Sequence, residues 1–328
     1  MKKNIALLAG GFTGETVVSL NSAQQIESQL DYNLFNVYKI IVSKEEWYFL
    51  DDENHKIQVD KNDFSITVKN DKIKFDAVFI IIHGSPGEDG KFQGYFDLLN
   101  IPYTTCDATT SALTMNKGYT KAVVNGIKDL KIAKSLQLFS KSLLIENEIS
   151  AQLKLPLFIK PNNGGSSIGM SKVNNWTELN DALDKAFAED EQVLIEEFIK
   201  GREFTVGIYK SGSEVNVLPI TEIKSSKEFF DFEAKYTSGM TQEITPAVLP
   251  QEITNKVAEI VKAVYLKLNC RGVVRIDFIL DENTGEFYFI EINTVPGQSQ
   301  NSIIPQQVRA AGMKLKDFYS LLIQEALV

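Results

Sequence analysis

Apolar residues in this chain fall mostly in runs of strand length, separated by glycine-rich or polar segments and by a few stretches with helical spacing. Ile5 to Ala9 is an unbroken apolar run, which reads as a buried strand. It ends in Gly10-Gly11-Phe12-Thr13-Gly14-Glu15, after which Val17, Leu20, Ala23, Ile26 and Leu30 are spaced for one face of a helix. Strand, glycine loop and helix in that order open an α/β fold. Leu34 to Val42, Trp47 to Leu50 and Asp76 to Ile82 add strands, the last ending at His83-Gly84-Ser85-Pro86-Gly87-Glu88-Asp89-Gly90. In open α/β sheets ligands collect beyond the carboxyl ends of the strands, so both glycine-rich segments are expected at one crevice.

The pattern changes near residue 104, and a mixed helix and strand region follows from Lys117 to Glu196. Within it Pro156 to Pro161 and Met170 to Val173 read as strands around a glycine and serine loop, Asn162 to Gly169. Trp176 to Ala188 reads as a helix and Val193 to Glu196 as a strand. Beyond lie strands near Phe204 to Tyr209 and Glu214 to Ile220, an irregular polar stretch from Glu222 to Glu243, and a helix from Gln251 to Leu268. Three units are expected: 1–104, 105–195 and 196–328, a length that one compact core rarely covers.

Two C-terminal stretches, Val273 to Phe278 and Phe287 to Asn293, place charged and amide side chains at alternate positions inside apolar strands. A three-residue loop Asn283-Thr284-Gly285 would join them as a hairpin. Glu282 then faces Glu286, Asp277 faces Glu291 and Arg275 faces Asn293, all on one face. Opposed carboxylates repel, and a cation between them relieves this; an oxygen cluster of Asp277, Glu291 and Asn293 suits magnesium, with a nucleotide's phosphates as further ligands.

The net charge of -9 argues against nucleic-acid binding by general electrostatics and leaves a local phosphate pocket open. Cys106 and Cys270 fit a reducing cytoplasm better than a disulfide scaffold, and no apolar run reaches membrane-span length. Gly164 to Gly169, with Ser166 and Ser167, reads either as a phosphate cradle or as a plain glycine turn. It lacks the lysine of a P-loop. Lys160, ending an apolar strand, needs an anion beside it. Glu15 serves either the helix dipole or a substrate ammonium. His83 is a hydrogen-bonded loop histidine or a catalytic one, and Lys235 and Tyr236 belong to a lid or to an exposed loop.

In their order these segments resemble the ATP-grasp ligases, and within them the D-alanine:D-alanine ligase family. The marks are Gly10-Gly11 with Glu15, His83-Gly84 with Gly87-Glu88-Asp89-Gly90, Met115-Asn116-Lys117, Lys160-Pro161 with Gly165 to Gly169, Glu233 to Tyr236, Arg275-Ile276-Asp277, Glu291 to Gly297 and Ser302 to Pro305. The resemblance implies an α/β ATP-grasp fold of three domains, with an N-terminal Rossmann-like open parallel sheet and the nucleotide held between the central and C-terminal domains. It implies ATP-dependent joining of two D-alanines through a D-alanyl phosphate, for peptidoglycan, by a cytoplasmic homodimer using two magnesium ions, with manganese as a substitute. Lys117, Lys160, Ser167, Glu196, Glu197, Ile199, Glu203 and Lys235 would bind the nucleotide; Asp277, Glu291 and Asn293 the metal. Glu15, linked to Ser166 and Tyr236, would hold the first D-alanine with His83 nearby. Arg275 and the Gly297 N–H would stabilise the oxyanion, and Ser302 and Ile303 would bind the second D-alanine. Two departures stand out: Glu197 replaces a lysine of several relatives, and Asn116 an aspartate.

Overall fold

A computed structural model of the chain describes residues 1–141, 146–165, 168–225 and 241–328. Its first sheet has five strands in the order Lys56–Gln58, Trp47–Leu50, Phe35–Val42, Lys3–Gly10, Ala77–Ile80. Only the last three run parallel; the two at the far edge are antiparallel, so the expected open parallel sheet is a mixed one. Gly10 lies in the left-handed region, and a Cβ there would stand 2.3 Å from the Val42 carbonyl oxygen. Gly10 is thus explained by the close approach of the neighbouring strand.

The helix Thr16–Gln29 buries Ala23 and Ile26 of the face its apolar spacing implies, with Leu30 just beyond its end, but departs from that face in its first turns. Val17 is 66% and Leu20 37% exposed, whereas Ser19 and Ser22 are fully buried beside Ala23 and Ile26. The serines are tolerated because they are bonded: Ser19 Oγ accepts from Gly10 N at 3.0 Å and donates to Ile81 O at 2.7 Å.

The second sheet is antiparallel, in the order Ser171–Val173, Leu157–Pro161, Val193–Glu197, Ser135–Leu138, with the helix Leu179–Phe187 packed on it through Leu179, Ala182, Leu183 and Ala186. The third runs Thr241–Ile244, Thr221–Ser225, Gly201–Ser211, Val273–Asp281, Phe287–Asn293, Leu130–Ile132, with Glu214–Val217 beside Gly201–Ser211. The ends of the stretch read as irregular, 222–225 and 241–243, are therefore strands.

The apolar side chains of residues 105–132 join the core of the third sheet, not a central unit as the boundary at 104 implied. Leu130–Ile132 pairs with Phe287–Phe289, and Cys106, Val124 and Ile127 share a core with Phe204, Ile276 and the helix Gln251–Lys267. The C-terminal helix Leu315–Ala326 closes the molecule by putting Phe318, Tyr319, Leu322 and Ile323 against Ile5, Leu7 and Phe79 of the first sheet. No helix among the described residues is long and apolar enough to cross a membrane.

Candidate active site

The C-terminal hairpin keeps the pairing expected from its sequence by a different route. Its loop has four residues, with Asp281 opposite Glu286, and Glu282 is drawn instead to Lys200. Taken alone, that loop would shift every pair by one residue. A bulge beside Asp277 and Phe278 restores the register, so that Asp277 lies opposite Glu291 and Arg275 opposite Asn293. Tyr288, Ile290, Glu291 and Asn293 consequently all reach the same cleft.

That cleft has a volume of about 660 Å³, the size of a small-molecule site. Glu15, His83, Lys117, Lys160, Glu196, Glu197, Ile199, Glu203, Arg275, Asp277, Glu291, Asn293, Gly297, Ser302 and Ile303 all line it. Ser166, Ser167, Lys235 and Tyr236 lie outside the described residues.

At one end the cations gather. Lys117 begins the helix Lys117–Val124, capped by Asn116, and Lys121 follows one turn later on the same face. Lys117 Nζ donates to Gly164 O and lies 3.3 Å from Glu291 Oε2. Lys121 and Lys160 both contact the buried carboxylate of Glu196, so the anion that Lys160 required is on the neighbouring strand. Burial presses the Lys160 ammonium down to about 7 and Lys117 adds to this, while the charge of Glu291 acts the other way. Lys121 is lowered by burial and by the same neighbouring cations. Glu197 turns its carboxylate to the Lys154 N–H at 3.1 Å.

In the middle, Arg275 donates to both oxygens of Asp277, which also accepts from Thr205 Oγ1. Burial opposes the guanidinium charge, but Asp277, with Glu291 and Glu88 behind it, raises the pKa above its ordinary value. Among the described residues no three His, Cys, Asp or Glu side chains form a ready-made metal cage. Two opposed carboxylates and the Asn293 amide are nonetheless the hard oxygen donors that magnesium takes.

At the other end Glu15 stands against both glycine loops: a Cβ on Gly84 would meet its carboxylate at 3.0 Å, one on Gly165 at 3.4 Å. Its side chain makes no cap bond to its own helix. His83 is buried, and burial lowers its pKa. The neutral ring donates from Nδ1 to Val295 O at 2.8 Å, so Nε2 accepts from Ser22 Oγ at 3.4 Å. Ser22 Oγ in turn accepts from Gln298 N at 3.1 Å. Glu88, part of the Gly87 to Gly90 motif but given no role in the sequence reading, accepts from Gly84 N at 2.6 Å and Val295 N at 3.1 Å. Side chains of the first unit thus hold the backbone around Gly297. Ser302 precedes the helix Ile303–Ala310, whose N-terminus suits a carboxylate. Sequence reasoning missed Lys121 as well, although its four-residue spacing from Lys117 was available as a signal.

The family model described as D-ala D-ala ligase N-terminus matches residues 4–106, and that described as D-ala D-ala ligase C-terminus matches residues 129–324. The chain is 44% identical over 324 residues to a D-alanine--D-alanine ligase of Phocaeicola vulgatus, covering 99% of each sequence. To that of Flavobacterium johnsoniae it is 43% identical over 325 residues, again covering 99% of each. Among solved structures it resembles the VanG D-Ala:D-Ser ligase from Enterococcus faecalis, with a TM-score of 0.88, 31% identity and 100% of both chains covered. The D-alanyl-alanine synthetase A from Vibrio cholerae gives a TM-score of 0.87 at 27% identity, with 99% of this chain and 98% of that one covered.

Proposed function

Since the chain belongs to the D-alanine--D-alanine ligase family, we propose that its cleft phosphorylates the carboxylate of one D-alanine with ATP and lets the amine of a second displace the phosphate. The products are D-alanyl-D-alanine, ADP and phosphate, and the dipeptide serves peptidoglycan synthesis. The observation that carries this reading is the convergence on one cleft of residues from Glu15 to Ile303, cations at one end and an amino-acid pocket at the other.

Lys117 and Lys160, with Ser167 and Lys235, bind the phosphates, and Glu196, Glu197, Ile199 and Glu203 border the nucleoside. Glu196 does so with its carboxylate turned to Lys121 and Lys160, fixing those ammonium groups. Asp277, Glu291 and Asn293 would hold magnesium, which when bound neutralises phosphate charge. Glu15 takes the ammonium of the first D-alanine, with Ser166 and Tyr236. Arg275 and the Gly297 N–H face the oxyanion formed when the amine attacks, and the helix start at Ser302 and Ile303 takes the second carboxylate. Catalysis here is positioning and charge neutralisation; no side chain needs to become covalently attached.

A phosphate-release assay with ATP and magnesium tests the reading. D-alanine alone should sustain release and yield the dipeptide, and L-alanine should not; release that requires D-serine as partner would reassign the second site. A cytoplasmic homodimer is the accompanying expectation, motivated by family membership and checked by light scattering and cell fractionation.

A further inference from the structure

Four side-chain amides, Asn116, Gln137, Asn162 and Gln192, form a closed network behind the nucleotide end of the cleft. Asn162 is fully buried and Asn116 nearly so. Gln192 Oε1 accepts from Gln137 Nε2 at 2.8 Å, from Asn116 Nδ2 at 3.1 Å and from Asn162 Nδ2 at 3.1 Å. Asn162 also takes up the first N–H groups of the helix that begins at Lys117: its carbonyl oxygen accepts from Lys117 N at 3.1 Å, and its Oδ1 from Gly118 N at 2.9 Å.

Those N–H groups have no partner within their own helix, and the segment that satisfies them comes from a different sheet. The helix packs in the core of the third sheet through Val124, whereas Asn162 directly follows the strand Leu157–Pro161 of the second, two residues after Lys160. The approach is close: a Cβ on Gly118 would stand 2.2 Å from Gln137 Oε1 and 3.3 Å from Asn162 Oδ1. Asn116 uses both ends of its amide, Oδ1 accepting from Tyr119 N at 3.0 Å to cap the helix while Nδ2 donates to Gln192. An aspartate could cap but could not donate, so the departure at this position is what the network uses.

We infer that Asn162 and Gln192 are positioning residues that fix the spacing between Lys117 and Lys160, and so pre-form the phosphate site between two sheets. Resting on the reading of these lysines as nucleotide ligands, it assigns to the amide network a role in ATP affinity and none in the amino-acid pocket.

Gln192 enters the network through its carbonyl oxygen, which a carboxylate reproduces as an acceptor. Gln192→Leu should therefore raise the KM for ATP about tenfold, leaving the KM for D-alanine and kcat nearly unchanged, and Gln192→Glu should restore the wild-type value. Lys117→Gln is the control. If it leaves the KM for ATP unchanged, the assignment of the lysine fails. If it raises that KM while Gln192→Leu does not, the lysine stands and the positioning inference is overturned. Equal losses in Gln192→Leu and Gln192→Glu, or a parallel rise in the KM for D-alanine, overturn it too. Should Gln192→Leu not fold, Gln137→Leu removes one of the three donors and is held to the same split.

Discussion

Arg275 and Asp277 sit two residues apart on one strand and are joined by a two-point hydrogen bond, Nε to Oδ1 at 3.0 Å and Nη2 to Oδ2 at 2.9 Å. The residue proposed to face the oxyanion is thus aimed by a proposed metal ligand, and the two functions share one rigid fork. Arg275→Ala should cost about 3 kcal/mol in stability, because it leaves a buried carboxylate without its cation. Turnover should fall by about 100-fold or more, as expected when an oxyanion donor is lost. Arg275→Lys separates these effects: it returns the charge without the planar fork, so denaturation should show partial recovery while the rate stays low. Recovery of the rate together with stability would remove Arg275 from the oxyanion.

Lys117 lies 3.3 Å from Glu291 and so relieves part of the repulsion between the carboxylates opposed across the hairpin. In Lys117→Gln that relief is gone and the site becomes a better trap for a divalent cation. Magnesium without nucleotide should then raise the thermal midpoint of the variant more than that of the wild type. An equal or smaller rise in the variant would show that Glu291 is not a magnesium ligand.

Glu88 gives a pH dependence. Each of its oxygens accepts a peptide N–H, from Gly84 and from Val295, and this is complete only in the ionised form, since protonation turns one acceptor into a donor. Burial pushes its pKa up to about 8, Glu15 adding to the rise while the two N–H groups and Arg275 oppose it. His83 shares the pocket but is held neutral by burial. The ionised population therefore grows with rising pH, and kcat/KM for D-alanine should climb toward a plateau above about 8. Glu88→Gln resembles the protonated state at every pH and should run about tenfold lower, without that limb. A limb that persists in the variant belongs to another group.

These residues differ in how far they could be read from sequence, and the difference has physical causes. Asp277 and Glu291 are opposed as the hairpin pattern implied, yet the loop is one residue longer than its glycine suggested and a bulge compensates. Alternation specifies the face strongly because one side is buried, whereas the turn is only weakly specified, and the bulge carries no compositional mark. Ser19 and Ser22 were invisible to periodicity, which counts apolar residues and cannot see a buried hydroxyl whose partners, Ile81 O and His83 Nε2, are some sixty residues distant. Leu130–Ile132 could not be allotted to the third sheet because its partner, Phe287–Phe289, is still more remote in the chain. Lys160 was legible as a buried cation in need of an anion, but not that Glu196 would be shared with Lys121.

Gly297 offers a test of the second amino-acid site that leaves the fold intact. Its backbone is outside the left-handed region, so alanine is sterically allowed there, but the new Cβ would lie 3.0 Å from Ser302 Oγ and 3.5 Å from Ser302 Cβ. Ser302 Oγ is bonded to Ser299 Oγ at 2.7 Å and can give way by a few tenths of an ångström, so Gly297→Ala should cost about 1 kcal/mol or less in stability. The displacement falls at the helix start assigned to the carboxylate of the second D-alanine. Its KM should rise about tenfold, with the KM for ATP unchanged. Ser302→Ala removes the crowded hydroxyl, so the double variant should lose less than the two single losses together. Initial rates over a range of D-alanine at saturating ATP measure each term. Strict additivity, or a rise in the KM for ATP, would mean that crowding at Gly297 does not act on the second D-alanine through Ser302.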